Sequence, residues 1–147
     1  MTKKIILNGQ EVEIDDMCVE LVTLLNAHGF TTQFSCQGHN EYEGFSIIFD
    51  RSVTDGMIYE LARAYEMTNN YLDEDSYPMY PFSKWVRYNK LIEDDGSCSG
   101  YFLMENWQLT IETDWIRGSD SRRAELVKDL TNHIKEALNN LKLIKLP

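Results

Sequence analysis

The sequence predicts an α+β fold, a single antiparallel or mixed sheet packed against two to three helices. Three observations lead there. Apolar residues recur at helical spacing in three separate stretches, Met17–Leu25, Ile58–Leu72 and Val127–Leu141. Between them lie short runs rich in β-branched and aromatic residues, such as "FTTQF", "GFSIIFD" and "YFLMENWQLTIET". The 147 residues are the usual length of one domain, and no linker, internal repeat or low-complexity tract divides them. One domain over 1–147, opened by a β-hairpin over 1–14, is therefore expected.

Each element follows from its own signals. In "KKIILNGQEVEI" the pair Asn8-Gly9 suits a tight type I′ turn, because both residues tolerate positive φ. Asp15 or Asp16 is placed to cap a helix carrying Met17, Leu21, Leu24 and Leu25 on one face. Gly29 can end it in a left-handed conformation, with His28 helping to close it. "FTTQF" and "GFSIIFD" read as strands around the loop "SCQGHNEYE". Thr54 or Asp55 caps the next helix, whose inward stripe is Ile58, Leu61, Tyr65 and Leu72. Pro78 and Pro81 mark Asp73–Ser83 as irregular. "KWVRYNKLI" and "YFLMENWQLTIET" are two further strands, joined by the turn "EDDGSCSG". The last and longest helix carries Val127, Leu130, Ile134, Leu138 and Leu141, and the tail "KLIKLP" either adds a short strand or frays.

A net charge of -10 argues against strong non-specific binding to nucleic acid, which needs many cationic contacts. No apolar run is long enough to span a membrane, and "MTKKIILNGQ" is too short a greasy segment for a secretory signal. Three widely spaced cysteines do not make a disulfide framework, so the cytoplasm is the expected compartment.

Chemistry concentrates in "FSCQGHN", Phe34–Asn40, where a thiol, an amide and an imidazole surround a glycine. Cys36 and His39 have the spacing of half a zinc site, to be completed by Cys18, Cys98, His28 or a carboxylate. No second close pair accompanies them, so no metal is assigned on this spacing and no cofactor is named. Cys36 beside His39 could also be an activated nucleophile, but no catalytic signature surrounds it. A strand ending in Ser-Cys-x-Gly can turn sharply and present successive backbone N–H groups to an anion. The candidate pocket accordingly comprises Ser35, Cys36, Gln37, Gly38 and His39, with Arg51, Arg87, Arg117 and Arg122 for charge and Trp85 for stacking. Plainer readings stand beside each assignment. Cys36 shares strand parity with Phe34 and so reads as a small buried hydrophobe. Trp107 alternates with Leu103, Leu109 and Ile111 on one strand face and reads as core, leaving Trp85 as the open indole. Arg122 and Arg123 balance the neighbouring Asp120 and Glu125.

Ile14–Asp50 resembles the N-terminal part of the tRNA wybutosine-synthesising protein 3 family. There, a helix of the type LLxLLNxH leads to a strand, a Ser-Cys-x-Gly turn and another short strand. The matching pieces are Leu24-Leu25-Asn26-Ala27-His28, Thr31-Thr32 and Ser35-Cys36-Gln37-Gly38; His39 stands where that family usually has a basic residue. The resemblance implies an α/β fold and methyl transfer from S-adenosylmethionine to a modified guanosine in tRNA, with Ser35 and Cys36 lining a pocket. The Ser-Cys-Gln-Gly-His stretch is also similar to small uncharacterised phage and bacterial proteins. The expected function is a small cytosolic binding protein, phage-encoded, that sequesters a nucleotide-like or other anionic small molecule. The alternatives are an S-adenosylmethionine-dependent RNA methyltransferase-like enzyme and a protein–protein interaction module with an acidic surface. The amphipathic last helix could serve a homo-oligomer, though one domain's core explains it equally well.

Overall fold

The computed structural model of the chain describes residues 1–40, 43–68 and 80–145. The first element is a hairpin of β1 (Thr2–Leu7) and β2 (Gln10–Asp15), in register from Thr2 opposite Asp15 to Leu7 opposite Gln10. Asn8 and Gly9 close it at φ 51° and 80°, the two left-handed positions that a type I′ turn requires.

A 3-10 turn, Asp16–Cys18, leads into α1 (Val19–Ala27). Neither Asp15 nor Asp16 caps this helix through its side chain. Its other end matches expectation. Gly29 sits at φ 86°, its N–H reaches Asn26 O at 3.2 Å, and the Phe30 N–H reaches Leu25 O at 2.9 Å. These paired bonds satisfy the last carbonyls of the helix. His28 Nδ1 lies 2.9 Å from Leu24 O. The helix α2 (Asp55–Thr68) is capped by Thr54, whose Oγ1 accepts from the Met57 N–H at 3.3 Å. Leu72 and Asp73–Met79 lie outside the described residues, and Tyr80 and Pro81 precede the next strand.

Four strands, β3 (Thr32–Cys36), β4 (Phe45–Phe49), β5 (Phe82–Ile92) and β6 (Cys98–Ile111), pair antiparallel in the order β3-β4-β6-β5. The single sheet expected from the sequence is thus two antiparallel sheets. The two-residue turn lets β1 and β2 satisfy each other, so the hairpin meets β3 and α1 by packing and not through a ladder. A short helix α3 (Thr113–Ile116) and the long α4 (Asp120–Lys145) complete the chain. The tail is helical through Lys145, and no strand forms in it among the described residues.

Phe45, Ile47 and Phe49 of β4, with Leu109 and Ile111 of β6, bury one sheet face against α1, α2 and α4. All five stripe residues named for the last helix are in that core. The opposite face carries Ser46, Ser83, Gln108 and Thr110, all half-buried, beside the buried Ile48. No helix among the described residues is long and apolar enough to cross a membrane.

Where the β4–β6 ladder stops, the buried Asn106 takes over. Its Nδ2 donates to Phe49 O at 2.9 Å and Gln33 Oε1 at 3.2 Å, and its Oδ1 accepts from Arg87 Nη1 at 2.7 Å. Asn106→Leu keeps the volume but strands the Phe49 carbonyl and the Arg87 donor. The expected cost is about 1–3 kcal/mol, read as a lower urea midpoint with unchanged slope.

Candidate functional site

The turn after β3 is held by an unusual brace. Cys36 pairs with Ser46 at the end of the strand, and Gly38 then turns the chain at φ 85°. Arg123, in the first turn of α4, reaches across and is only 2% exposed. Its Nη1 donates to Gln37 O at 2.7 Å and Glu43 O at 2.9 Å, and its Nη2 to Asn40 O at 2.9 Å. Its closest carboxylate, Asp120, is 4.0 Å from Nε and fully exposed. A guanidinium is the side chain with enough fixed donors to gather three carbonyls at once. A Cβ at Gly38 would collide with Arg123 Nη1 and lie 2.8 Å and 2.9 Å from the carbonyls of Glu43 and Gly44. Glycine is needed here both for its φ and for its lack of a side chain.

The amides of this turn point at the protein's own carboxylates. The Gln37 N–H donates to Asp15 Oδ2 at 3.0 Å, and the His39 N–H to Glu43 Oε2 at 2.9 Å. Gln37 Oε1 accepts from the Met17 N–H at 3.1 Å, tying the turn to the start of the 3-10 segment. His39 Nε2 approaches Asp15 Oδ2 at 3.3 Å. Asp15 is therefore a turn partner and not a helix cap, and the anion these N–H groups attract is internal.

The residues expected in one pocket occupy two ends of the sheet. Ser35, Cys36, Gln37, Gly38 and His39 lie at the end where Phe45 meets Ile111 and α3 begins. Arg117 and Arg122 are also at this end. Arg117 is exposed and terminates α3 at φ 54°, while Arg122 Nε donates to Trp115 O at 3.0 Å, tying α3 to α4. Arg51, Trp85 and Arg87 lie at the other end, past Phe49. Four residues of strand, about 13 Å, separate Ser46 from Asp50. There the Arg87 guanidinium stacks 4.1 Å from the Trp85 ring centre. Arg51 borders a cavity of about 410 Å³ with Lys84, Asp55, Glu105 and Trp107. Trp107 is half-buried, donates from Nε1 to Asp55 at 2.8 Å and lies beneath the Lys84 ammonium. These hydrogen bonds from Trp107 and Lys84 hold the Asp55 carboxyl below its usual range.

A family model of prophage proteins, YoqC, matches residues 3–145. The chain belongs to the YoqC prophage protein family. No curated protein and no solved structure matches it. The phage resemblance of the Ser-Cys-Gln-Gly-His stretch extends over nearly the full length, whereas the wybutosine-synthesising likeness gains no support from this match.

The chain has a second conspicuous feature. Beyond Ile48 opposite Gln108, β5 and β6 leave the sheet as a two-stranded arm. Glu93 N–H to Ser97 O at 2.8 Å closes its tip, where Gly96 sits at φ 84°. On the face that continues the core side, Val86, Tyr88, Leu103 and Tyr101 are exposed, Tyr88 at 76%. On the other face Trp85, Leu91 and Phe102 are also exposed. The alternation of the strands was readable, but where the helical cover ends was not. Asp15, Glu43 and Arg123 are absent from the expected site. Only Arg123 left a trace in the sequence, since it stands one turn before Val127 and so on the apolar stripe of α4.

Proposed function

We propose that this protein is a protein-binding module whose contact surface is the β5–β6 arm, with a second copy of the chain as its partner. The single observation that carries this reading is the exposure of large apolar side chains on both faces of the arm. Soluble chains rarely present such a patch unless something covers it. Among the described residues the outer edge of β5 pairs with no further strand, and it runs for 11 residues, about 35 Å.

Charge selects the partner. Lys84, Arg87 and Lys90 line β5, and cations on an edge strand discourage indiscriminate pairing. Lys84 already pairs with Asp55 at 3.1 Å and Glu105 at 3.3 Å in its own chain, and the tip of the same hairpin holds three further carboxylates, Glu93, Asp94 and Asp95, that a partner strand would add to this row. Two β5 strands running antiparallel about Asn89 put Lys84 beside Asp94, Val86 opposite Ile92 and Tyr88 opposite Lys90. A pairing centred on Arg87 would instead oppose Lys84 to Lys90. The cytoplasm suits this assembly, because Cys18, Cys36 and Cys98 are free thiols.

Light scattering on the eluting protein is expected to give a dimer with Kd of about 1–10 μM, equivalent to about 7–8 kcal/mol. Tyr88→Asp, on an exposed position, should give a monomer with unchanged circular dichroism. A wild-type monomer at about 100 μM, or a dimer indifferent to Tyr88→Asp, ends the proposal.

A second reading keeps an anionic small molecule, with Arg51 as its contact in the cavity that Trp107 and the Lys84–Asp55–Glu105 ion pairs also line. Titration with a nucleoside triphosphate should then quench tryptophan emission in the wild type and not in Arg51→Ala. No quenching at millimolar ligand would remove this reading.

A further inference from the structure

We propose that Asp15, Cys36 and His39 form a binding site for a thiophilic divalent transition-metal ion of the zinc class. A carboxylate oxygen, a thiol sulfur and an imidazole nitrogen from these residues lie within 4.8 Å of one another. Donors around a tetrahedral zinc ion stand about 3.3–3.8 Å apart, and His39 Nε2 to Asp15 Oδ2 is already 3.3 Å. The exposed His39 and the half-buried Cys36 side chains would rotate to close the remaining distance when the ion binds.

The donor set chooses the ion. Thiolate and imidazole suit zinc, cobalt and their neighbours, whereas magnesium and calcium take oxygen ligands. The ion would enter between His39 and Asp15, replacing their direct contact with two coordinate bonds. Cys36 binds as the thiolate, and its proton leaves to solvent. Three protein ligands leave a fourth position open to water or another ligand, the pattern of reactive sites more than of closed structural ones.

Two features prepare the site. The Gln37 N–H orients the Asp15 carboxylate at 3.0 Å, an outer-shell bond of the kind that fixes metal ligands. The buried Arg123 holds the carbonyls of Gln37, Asn40 and Glu43, which sets the path from Cys36 to His39. His39 is 55% exposed and Asp15 11%, so an ion has a route in and a shielded seat. None of these residues belongs to the arm, so the site stands or falls independently of self-association.

The test is a titration of the purified, reduced and chelator-stripped protein with Co²⁺ and with Zn²⁺. Native mass spectrometry should count one ion per chain, and Co²⁺ should produce a sulfur-to-cobalt charge-transfer band. Cys36→Ser should abolish that band and weaken Zn²⁺ binding by at least about 100-fold, and His39→Gln should weaken it about 10–100-fold. His39 is exposed, so His39→Gln should keep the wild-type circular dichroism and remain a valid probe. Cys98→Ser, at the exposed end of the arm, should change nothing. Binding that persists in Cys36→Ser, binding that vanishes in Cys98→Ser, or affinity no tighter than millimolar would overturn the site.

Discussion

Arg123→Leu is expected to lower the folding stability by about 3–5 kcal/mol, the range for removing one member of a buried charged network. The side chain is 2% exposed and donates to three backbone carbonyls that have turned away from the ladder. Leucine would fill part of the volume but leave those carbonyls facing an apolar group, each at about 1–3 kcal/mol unless the turn opens to water. Arg123→Lys should recover only part of the loss, because one ammonium cannot span three acceptors with the fork of a guanidinium. Gly38→Ala should act through the same brace. A left-handed φ costs alanine about 1–2 kcal/mol, and the new methyl group also displaces the Arg123 head. Because both changes damage one contact, their combination should cost less than the sum, and a double-mutant cycle in urea measures that coupling. A urea midpoint unchanged in Arg123→Leu would mean that the turn holds its shape without the brace. The metal proposal would then lose its support from preorganisation.

Much of the fold was written locally. Asn8-Gly9 fixed the first hairpin, Gly29 ended α1, Thr54 started α2, and the stripe from Val127 to Leu141 placed α4 against the sheet. These signals act within a few residues, which is why one sequence suffices to see them. Sheet membership is different. Nothing in "KKIILNGQEVEI" states whether β1 continues the sheet or stands apart, since that depends on what β3 meets at its edge. The site divides along the same line. "SCQGH" was legible as a turn with chemistry, but its partners come from distant positions: Asp15 through β2 and Arg123 through α4. Arg51 and Trp85 were grouped with the turn on charge and aromaticity alone. Strand register sends them to the opposite end of the sheet. Cys36, expected as a buried hydrophobe, is half-buried and beside His39 and Asp15.

Cys18 should make the protein lose stability in alkali. Its thiol is 0% exposed, and burial is the main cause pushing its pKa from an ordinary 9.0 up to about 12. The negative charges of Asp15 and Cys36 push the same way, against a hydrogen bond with Ser35. Below pH 9 the thiol is protonated whether the chain is folded or not, and its contribution is fully present. Between pH 9 and 12 the unfolded chain releases this proton while the native state keeps it, so each pH unit favours unfolding by at most about 1.4 kcal/mol. Above 12 both states are ionised and the loss stops growing, with a ceiling of about 4 kcal/mol. Tyrosines and lysines titrate in the same window, so the informative quantity is the difference between wild type and Cys18→Ala, measured with chelator present. That variant should be less stable at pH 7, where its cavity costs about 1 kcal/mol. It should then gain on the wild type as pH rises past 9 and overtake it before 12. Iodoacetamide gives a second readout at neutral pH. Cys98 should react first, Cys36 more slowly, and Cys18 only when the chain unfolds. Stability curves that stay parallel from pH 8 to 12, or early alkylation of Cys18 in the native protein, would show that its thiol is not sealed in the core.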